Sequence, residues 1–126
     1  MRPSSNFSPR AVALGYLADI ASTKFFVLAM VLVLLDPGSS SQAPLNRMNL
    51  QMLDWFCLSW GMAFTAVGGF VACRLAPHAG YRHASLVACL SMMTGFLDGW
   101  SPQNVEMSLY LTGITLTFPM AWLGAR

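Results

Sequence analysis

The chain has 126 residues, of which 56% are hydrophobic and 10% are charged, and its formal net charge is +2. A soluble domain has roughly 25% charged residues, so this composition argues against an ordinary water-soluble globular protein. The seven lysine and arginine residues are spread along the chain and form no basic cluster. They therefore indicate membrane topology, and no nucleic-acid partner is expected.

The apolar residues form four long segments. They are Ala11 to Leu35, Met52 to Leu75, Ala84 to Trp100, and Ser108 to Leu123. A transmembrane helix needs ~20 mostly apolar residues, because only a continuous helix satisfies every backbone group in hydrocarbon. We predict an all-α fold, a polytopic four-transmembrane-helix bundle. Residues 1–126 form a single transmembrane domain, with spans at about 12–35, 52–75, 84–100 and 108–124.

Basic residues near the ends of the spans are unevenly distributed between the two sides. One side holds Arg2, Arg10, Arg74, Arg82 and Arg126, and the other holds Arg47. Because lysine and arginine near spans are retained in the cytoplasm, both termini are expected to be cytoplasmic. The predicted location is the cell inner membrane, crossed several times.

An alternative is that the first apolar segment is a signal peptide. Phe25 to Leu35 has the length of a signal hydrophobic region, and Gly38 to Ala43 supplies small residues for cleavage. However, the residues between Arg10 and Lys24 are themselves largely apolar, and Pro44 follows the best cleavage position. A retained first span is the favoured interpretation.

The first span carries polar residues at membrane depth. Asp19, Ser22 and Thr23 have helical i, i+3 and i+4 spacing and share one face, with Lys24 beside them. Ionisable groups inside a membrane are costly, which makes these four residues candidates for a functional or partner-binding site. The alternative is structural anchoring. In that case Asp19 lies one turn below the surface and Lys24 extends toward the head groups.

The second span carries small residues at four-residue spacing. These are Gly61, Thr65 and Gly69, with Gly68 and Ala72 alongside. Small residues let two helix backbones approach closely, which favours helix packing in a membrane. We expect this stripe to contact a helix of the same chain, and contact with a second copy is the alternative.

We find no pattern typical of catalysis, cofactor binding or metal binding. Cys57, Cys73 and Cys89 lie within apolar segments and are interpreted as small hydrophobic side chains. His78 and His83 are a poor metal pair because the sequence offers no third ligand near them. The titratable groups are expected at opposite membrane faces, so an enzyme is not predicted.

Several segments resemble known membrane proteins. Leu14-Gly15-Tyr16-Leu17-Ala18-Asp19-Ile20, Gly68-Gly69-Phe70-Val71-Ala72-Cys73-Arg74-Leu75-Ala76 and His83-Ala84 together resemble small bacterial four-helix inner-membrane proteins. That family has no established activity. The resemblance therefore implies the fold and the membrane location, but no reaction.

A second resemblance is to the small multidrug resistance transporters. It is carried by Ala18-Asp19-Ile20 followed by Ser22-Thr23 in the first of four short helices. The resemblance implies that Asp19 exchanges protons for cationic substrates. The chain departs from that family in having aspartate where the family has glutamate, a nearby Lys24 and a long first outer loop.

The leading functional prediction is an inner-membrane protein that acts by helix association, as a structural or accessory subunit. Its expected partners are the lipid bilayer and either a second copy of itself or a larger membrane complex. The alternative prediction is a small proton-coupled transporter that uses Asp19.

Overall fold

The computed structural model describes residues 7–34, 47–76, 80–101 and 103–126. These residues form four α-helices and no strand: α1 (Pro9–Leu34), α2 (Arg47–Leu75), α3 (Gly80–Leu97) and α4 (Met107–Gly124). The predicted all-α, four-helix architecture is confirmed. Gly38 to Ala43 and His78 lie outside the described residues.

Local sequence signals set several helix ends. Ser8 precedes α1, and its hydroxyl accepts a hydrogen bond from the Ala11 backbone N–H at 3.3 Å. Pro9 then occupies the first helical position, where its missing N–H costs nothing. Beyond α3, Gly99 adopts a positive φ of 89° and the Trp100 N–H donates to the Gly95 carbonyl at 2.9 Å. A glycine in this left-handed conformation is a common way to end a helix.

The four helices run alternately up and down, and α2 is central. It packs against α1, α3 and α4, while α1 and α4 share no contact among the described residues. One half of the bundle contains the first turns of α1 and α3 and the last turns of α2 and α4. We call it the basic half, because it holds Arg10, Arg74, Arg82 and Arg126. We call the opposite end the acidic half; it holds Asp54, Asp98 and Glu106.

Small side chains fill the interior of the bundle, and large ones cover its outside. Among the residues that the structure describes, the buried hydrophobic ones are six alanines, two valines and one leucine. Large apolar side chains are exposed on all four helices, for example Phe25, Leu32, Phe70, Leu97 and Leu123. A soluble bundle has the opposite distribution, since burial of large apolar side chains stabilises it in water.

Two of the four helices are long and apolar enough to cross a membrane. These segments are Pro9–Leu32 and Gln51–Leu75. Helices α3 and α4 have 18 residues each and do not meet the same criterion of length and hydropathy. The structure therefore contains four helices where four spans were predicted. Of these described helices, two are long and apolar enough to be candidate membrane spans.

Candidate functional site

The acidic half of the bundle contains a cavity of about 320 Å³. It lies between α1, α2 and α3 and reaches Thr117 on α4. Its apolar lining comes from Ile20, Val27, Leu58, Met62, Met92 and Trp100. Its polar lining comes from Asp19, Thr23, Lys24, Thr65, Ser91, Thr94, Asp98 and Thr117. A cavity that combines apolar side chains with convergent polar groups is typical of a small-molecule site.

Asp19 is the most deeply placed charged group of this cavity. It is 3% exposed and lies ten residues into α1, a rise of about 15 Å from Pro9. The Ser91 hydroxyl of α3 donates a hydrogen bond to Oδ2 of Asp19. The Thr65 hydroxyl of α2 lies 3.4 Å from the same oxygen, and Thr23 lies within hydrogen-bonding reach. Three helices therefore converge on this carboxylate.

The hydroxyls around Asp19 have second acceptors on their own helices. Thr65 Oγ1 is 3.1 Å from the Gly61 carbonyl oxygen, and Ser91 Oγ is 3.0 Å from the Val87 carbonyl oxygen. A hydroxyl has one proton, so it donates to one of these acceptors at a time. Both donors can therefore release Asp19 and remain hydrogen-bonded.

Lys24 does not pair with Asp19, although it lies beside the polar face of α1 that carries Asp19. Its Nζ lies 2.5 Å from Oδ2 of Asp98, at the end of α3. Lys24 is five residues beyond Asp19 on α1, about 7.5 Å further along the axis, and points to the acidic end. Asp19 has no ion-pair partner among the described residues.

Three of the four polar candidates on α1, namely Asp19, Thr23 and Lys24, line the cavity, and Ser22 does not. Thr23 and Lys24 line the cavity, at its deep part and at its mouth. Ser22 is half-buried and does not line the cavity. The i, i+3 spacing predicted that Ser22 and Asp19 share a face of α1, but the cavity lies on the side of α1 that carries Thr23.

The small residues of α2 are used within the chain. A Cβ added to Gly68 would lie 2.8 Å from the Gly15 carbonyl oxygen, and one added to Gly69 would collide with the backbone of Ala121. Ala72 is fully buried beside Gly15. These three residues form contacts between helix backbones, as small residues allow.

Gly61 and Thr65, from the same stripe of small residues, both line the cavity. A Cβ added to Gly61 would meet no atom within 4 Å, because Gly61 faces the cavity. Thr65 is buried, and its hydroxyl faces Asp19. The four-residue spacing puts both on the same side of α2 as Gly69, but the cavity, and not the backbone of another helix, lies opposite Gly61.

Four further residues in or beside the site were not among the site candidates taken from the sequence. The Tyr16 and Thr94 hydroxyl oxygens are 2.5 Å apart and link α1 to α3. Ser91 supplies a donor to Asp19, and Trp100 covers one side of the cavity. Ser91 and Thr94 share a face by i, i+3 spacing, which is a signal for a polar contact but not for its partner.

His83 is fully buried at the basic end, far from the cavity. Its Nε2 accepts a hydrogen bond from the Ser8 backbone N–H at 3.0 Å, and its ring stacks on Phe7. Among the described residues, no group of three or more His, Cys, Asp or Glu side chains is placed to hold a metal ion. Cys57, Cys73 and Cys89 are free thiols on α2 and α3.

No protein-family model, curated protein or solved structure matches this chain.

Proposed function

We propose that the chain is an integral membrane protein in which all four helices cross the bilayer. The distribution of side chains supports this, because large apolar groups face outward while alanine and glycine fill the interior. Helices α3 and α4, at 18 residues, have a length of about 27 Å, close to the ~30 Å of the hydrocarbon core. The four arginines of the basic half then face the cytoplasm of an inner membrane, with both termini on that side.

Reporter fusions test this topology. A reporter fused after Arg126 should be active only as a cytoplasmic fusion, and one inserted between Asp36 and Met48 only as an external fusion. A fusion after Arg126 that is active only outside the cytoplasm would overturn the proposal. So would an insertion in the first loop that is active only inside.

Within this bundle, we infer that the cavity binds a small amphipathic organic cation at Asp19 and exchanges it for a proton. The observation that carries this function is a carboxylate that is 3% exposed, without an ion-pair partner among the described residues, at the deep end of a 320 Å³ cavity. Either a cation or a proton can neutralise its charge there, and the two compete for the same oxygens. The pairing of Lys24 with Asp98 leaves Asp19 available for this exchange.

The surroundings of Asp19 also fit a ligand that comes and goes. When a cation occupies the carboxylate, Thr65 and Ser91 can return their hydrogen bonds to the Gly61 and Val87 carbonyls. No buried donor is left without a partner, so release of the carboxylate avoids the cost of an unsatisfied polar group. The apolar lining from Leu58, Met62 and Met92 suits a hydrophobic body next to the positive charge.

Uptake into liposomes tests this function. The purified protein is reconstituted, a pH gradient is imposed, and uptake of tetraphenylphosphonium is measured. Asp19→Asn keeps the shape of the side chain and one acceptor oxygen but cannot carry the charge, so uptake should fall to the level of empty liposomes. The matched control is Asp54→Asn, which removes an exposed carboxylate outside the cavity and should transport normally.

Two results would overturn the transport proposal. One is an Asp19→Asn variant that folds and transports as well as the parent. The other is a folded parent protein that transports neither tetraphenylphosphonium nor any other member of a panel of organic cations. Thermal unfolding in detergent shows whether each variant is folded.

Association with a partner helix is the second candidate function. The aromatic cluster of Phe26, Phe56, Trp60 and Phe64 supports it, since ring centroids lie 5.4 to 6.1 Å apart on α1 and α2 while Phe56 and Trp60 stay about half exposed. The small-residue contacts at Gly68 and Gly69 do not support it, because α1 and α4 already occupy them. Cross-linking in native membranes, with the parent and with Trp60→Ala, tests this candidate. If the variant keeps the complexes that the parent forms, this surface is not the contact.

A further inference from the structure

An ion pair spans the mouth of the Asp19 cavity. Lys24 of α1 and Asp98 at the end of α3 both line the cavity, and their charged atoms are 2.5 Å apart. Their side chains are 57% and 53% exposed, whereas Asp19 is 3% exposed. Along α1, the pair lies about 7.5 Å from Asp19 toward the acidic end. The pair therefore occupies the level at which the cavity meets the surface.

The α3 side of this mouth is anchored to α4. The Trp100 ring packs against Gly113, where an added Cβ would collide with it, and lies 5.4 Å from the Tyr110 ring. The Asp98 backbone N–H donates to the Thr94 carbonyl at 2.8 Å, which continues the helical hydrogen bonding past Leu97. Asp98 is thus carried on a well-supported part of the bundle.

The α1 side of the mouth is held differently along its length. In the basic half, Gly15 lies against Gly68 and Ala72 with no space for another atom between the backbones. In the acidic half, α1 contacts α2 through the ring of Phe26, 5.4 Å from that of Trp60. Helix α1 makes no described contact with α4. Side-chain contacts can rearrange where interlocked backbones cannot, so the acidic half of α1 is less constrained than the basic half.

We propose that the Lys24–Asp98 ion pair is the gate of the cavity. While the pair is formed it holds α1 and α3 together across the mouth, and a ligand reaches Asp19 when the pair breaks. This inference rests on the proposed function, since it describes how access to that same carboxylate is controlled. An exposed ion pair is weak in water, and both partners gain hydration when they separate, so opening needs no unfolding of the bundle.

A thiol inside the cavity measures access directly. Gly61→Cys places a sulfur in open space on the cavity wall, because an added Cβ meets no atom within 4 Å. The three native cysteines are replaced by alanine in this parent. The protein is held in detergent and its rate of labelling by N-ethylmaleimide is measured. The reagent is uncharged, so a change in local charge alone does not attract or repel it.

Breaking the pair should speed the labelling. Lys24→Met and Asp98→Asn change the net charge in opposite directions, yet each should raise the rate by about two- to fivefold, the range expected from loss of an exposed ion pair. The charge exchange, Lys24→Asp together with Asp98→Lys, should return the rate toward that of the parent. Asp54→Asn, an exposed carboxylate outside the cavity, should leave the rate unchanged. Equal rates in the parent and both single variants, or no recovery in the charge exchange, would overturn the gate.

Salt gives a test that needs no change at the pair. Raising the sodium chloride concentration from 0.1 M to 1 M shortens the screening length from about 10 Å to about 3 Å. It should therefore speed labelling of the parent but not of Lys24→Met. A parent rate that does not respond to salt would count against the gate even if the single variants fail to fold. Because labelling requires no ligand, the gate and the transport proposal can fail independently.

Discussion

The two halves of the bundle use the same kind of residue on α2 in opposite ways. In the basic half, Gly68 and Gly69 bring the backbones of α1 and α4 against α2, so that even one added carbon has no space. In the acidic half, Gly61 lies eight residues before Gly69 on α2 and faces a cavity. A glycine on this face of α2 therefore forms a helix–helix contact where another backbone lies opposite it, and lines a cavity where none does. Close packing at one end of the bundle is accompanied by a cavity at the other.

The largest expected effect is on the basic half. Gly69→Leu should lower the free energy of unfolding by about 1–3 kcal/mol, because the new side chain collides with the Ala121 backbone and forces α2 and α4 apart. The measurement is thermal unfolding of the purified protein in detergent, with oligomeric state followed by size. An unchanged unfolding temperature and unchanged oligomeric state would contradict the close contact.

The same substitution in the acidic half should behave differently. Gly61→Leu meets open space, and leucine is a better helix former than glycine by somewhat less than about 1 kcal/mol. Stability should therefore stay the same or rise slightly, while uptake of tetraphenylphosphonium falls because the side chain fills part of the cavity. A loss of stability as large as that of Gly69→Leu would remove the distinction between the two halves.

The smallest expected effect is at the mouth. Lys24→Met should change the free energy of unfolding by no more than about 1 kcal/mol, since both partners of the Lys24–Asp98 pair are more than half exposed. The variant should therefore stay folded, so that its transport and labelling rates can be compared directly with those of the parent. Thermal unfolding at low and high salt checks this, and a large salt-dependent loss of stability in the parent would show that the pair does more than span the mouth.

Much of the secondary structure followed from local pattern. The apolar segment predicted at about 52–75 became a helix ending at Leu75, and the one predicted at about 108–124 became Met107–Gly124. Ser8 with Pro9, and Gly99 after α3, are local end signals that need no distant partner. These features depend on residues within a few positions of one another, so they form without a distant partner.

The candidate site depended on tertiary structure. Spacing along α1 showed that Asp19, Ser22 and Thr23 share a face, but the rotation and register of α1 against α3 decided that Ser91 donates to Asp19 and that Lys24 pairs with Asp98, 74 residues away. Likewise, the spacing along α2 could not distinguish Gly69, opposite Ala121, from Gly61, opposite a cavity. Helical periodicity determines which residues share a face. The neighbour that each face meets is determined by how four helices pack together, and no short stretch of sequence carries that information.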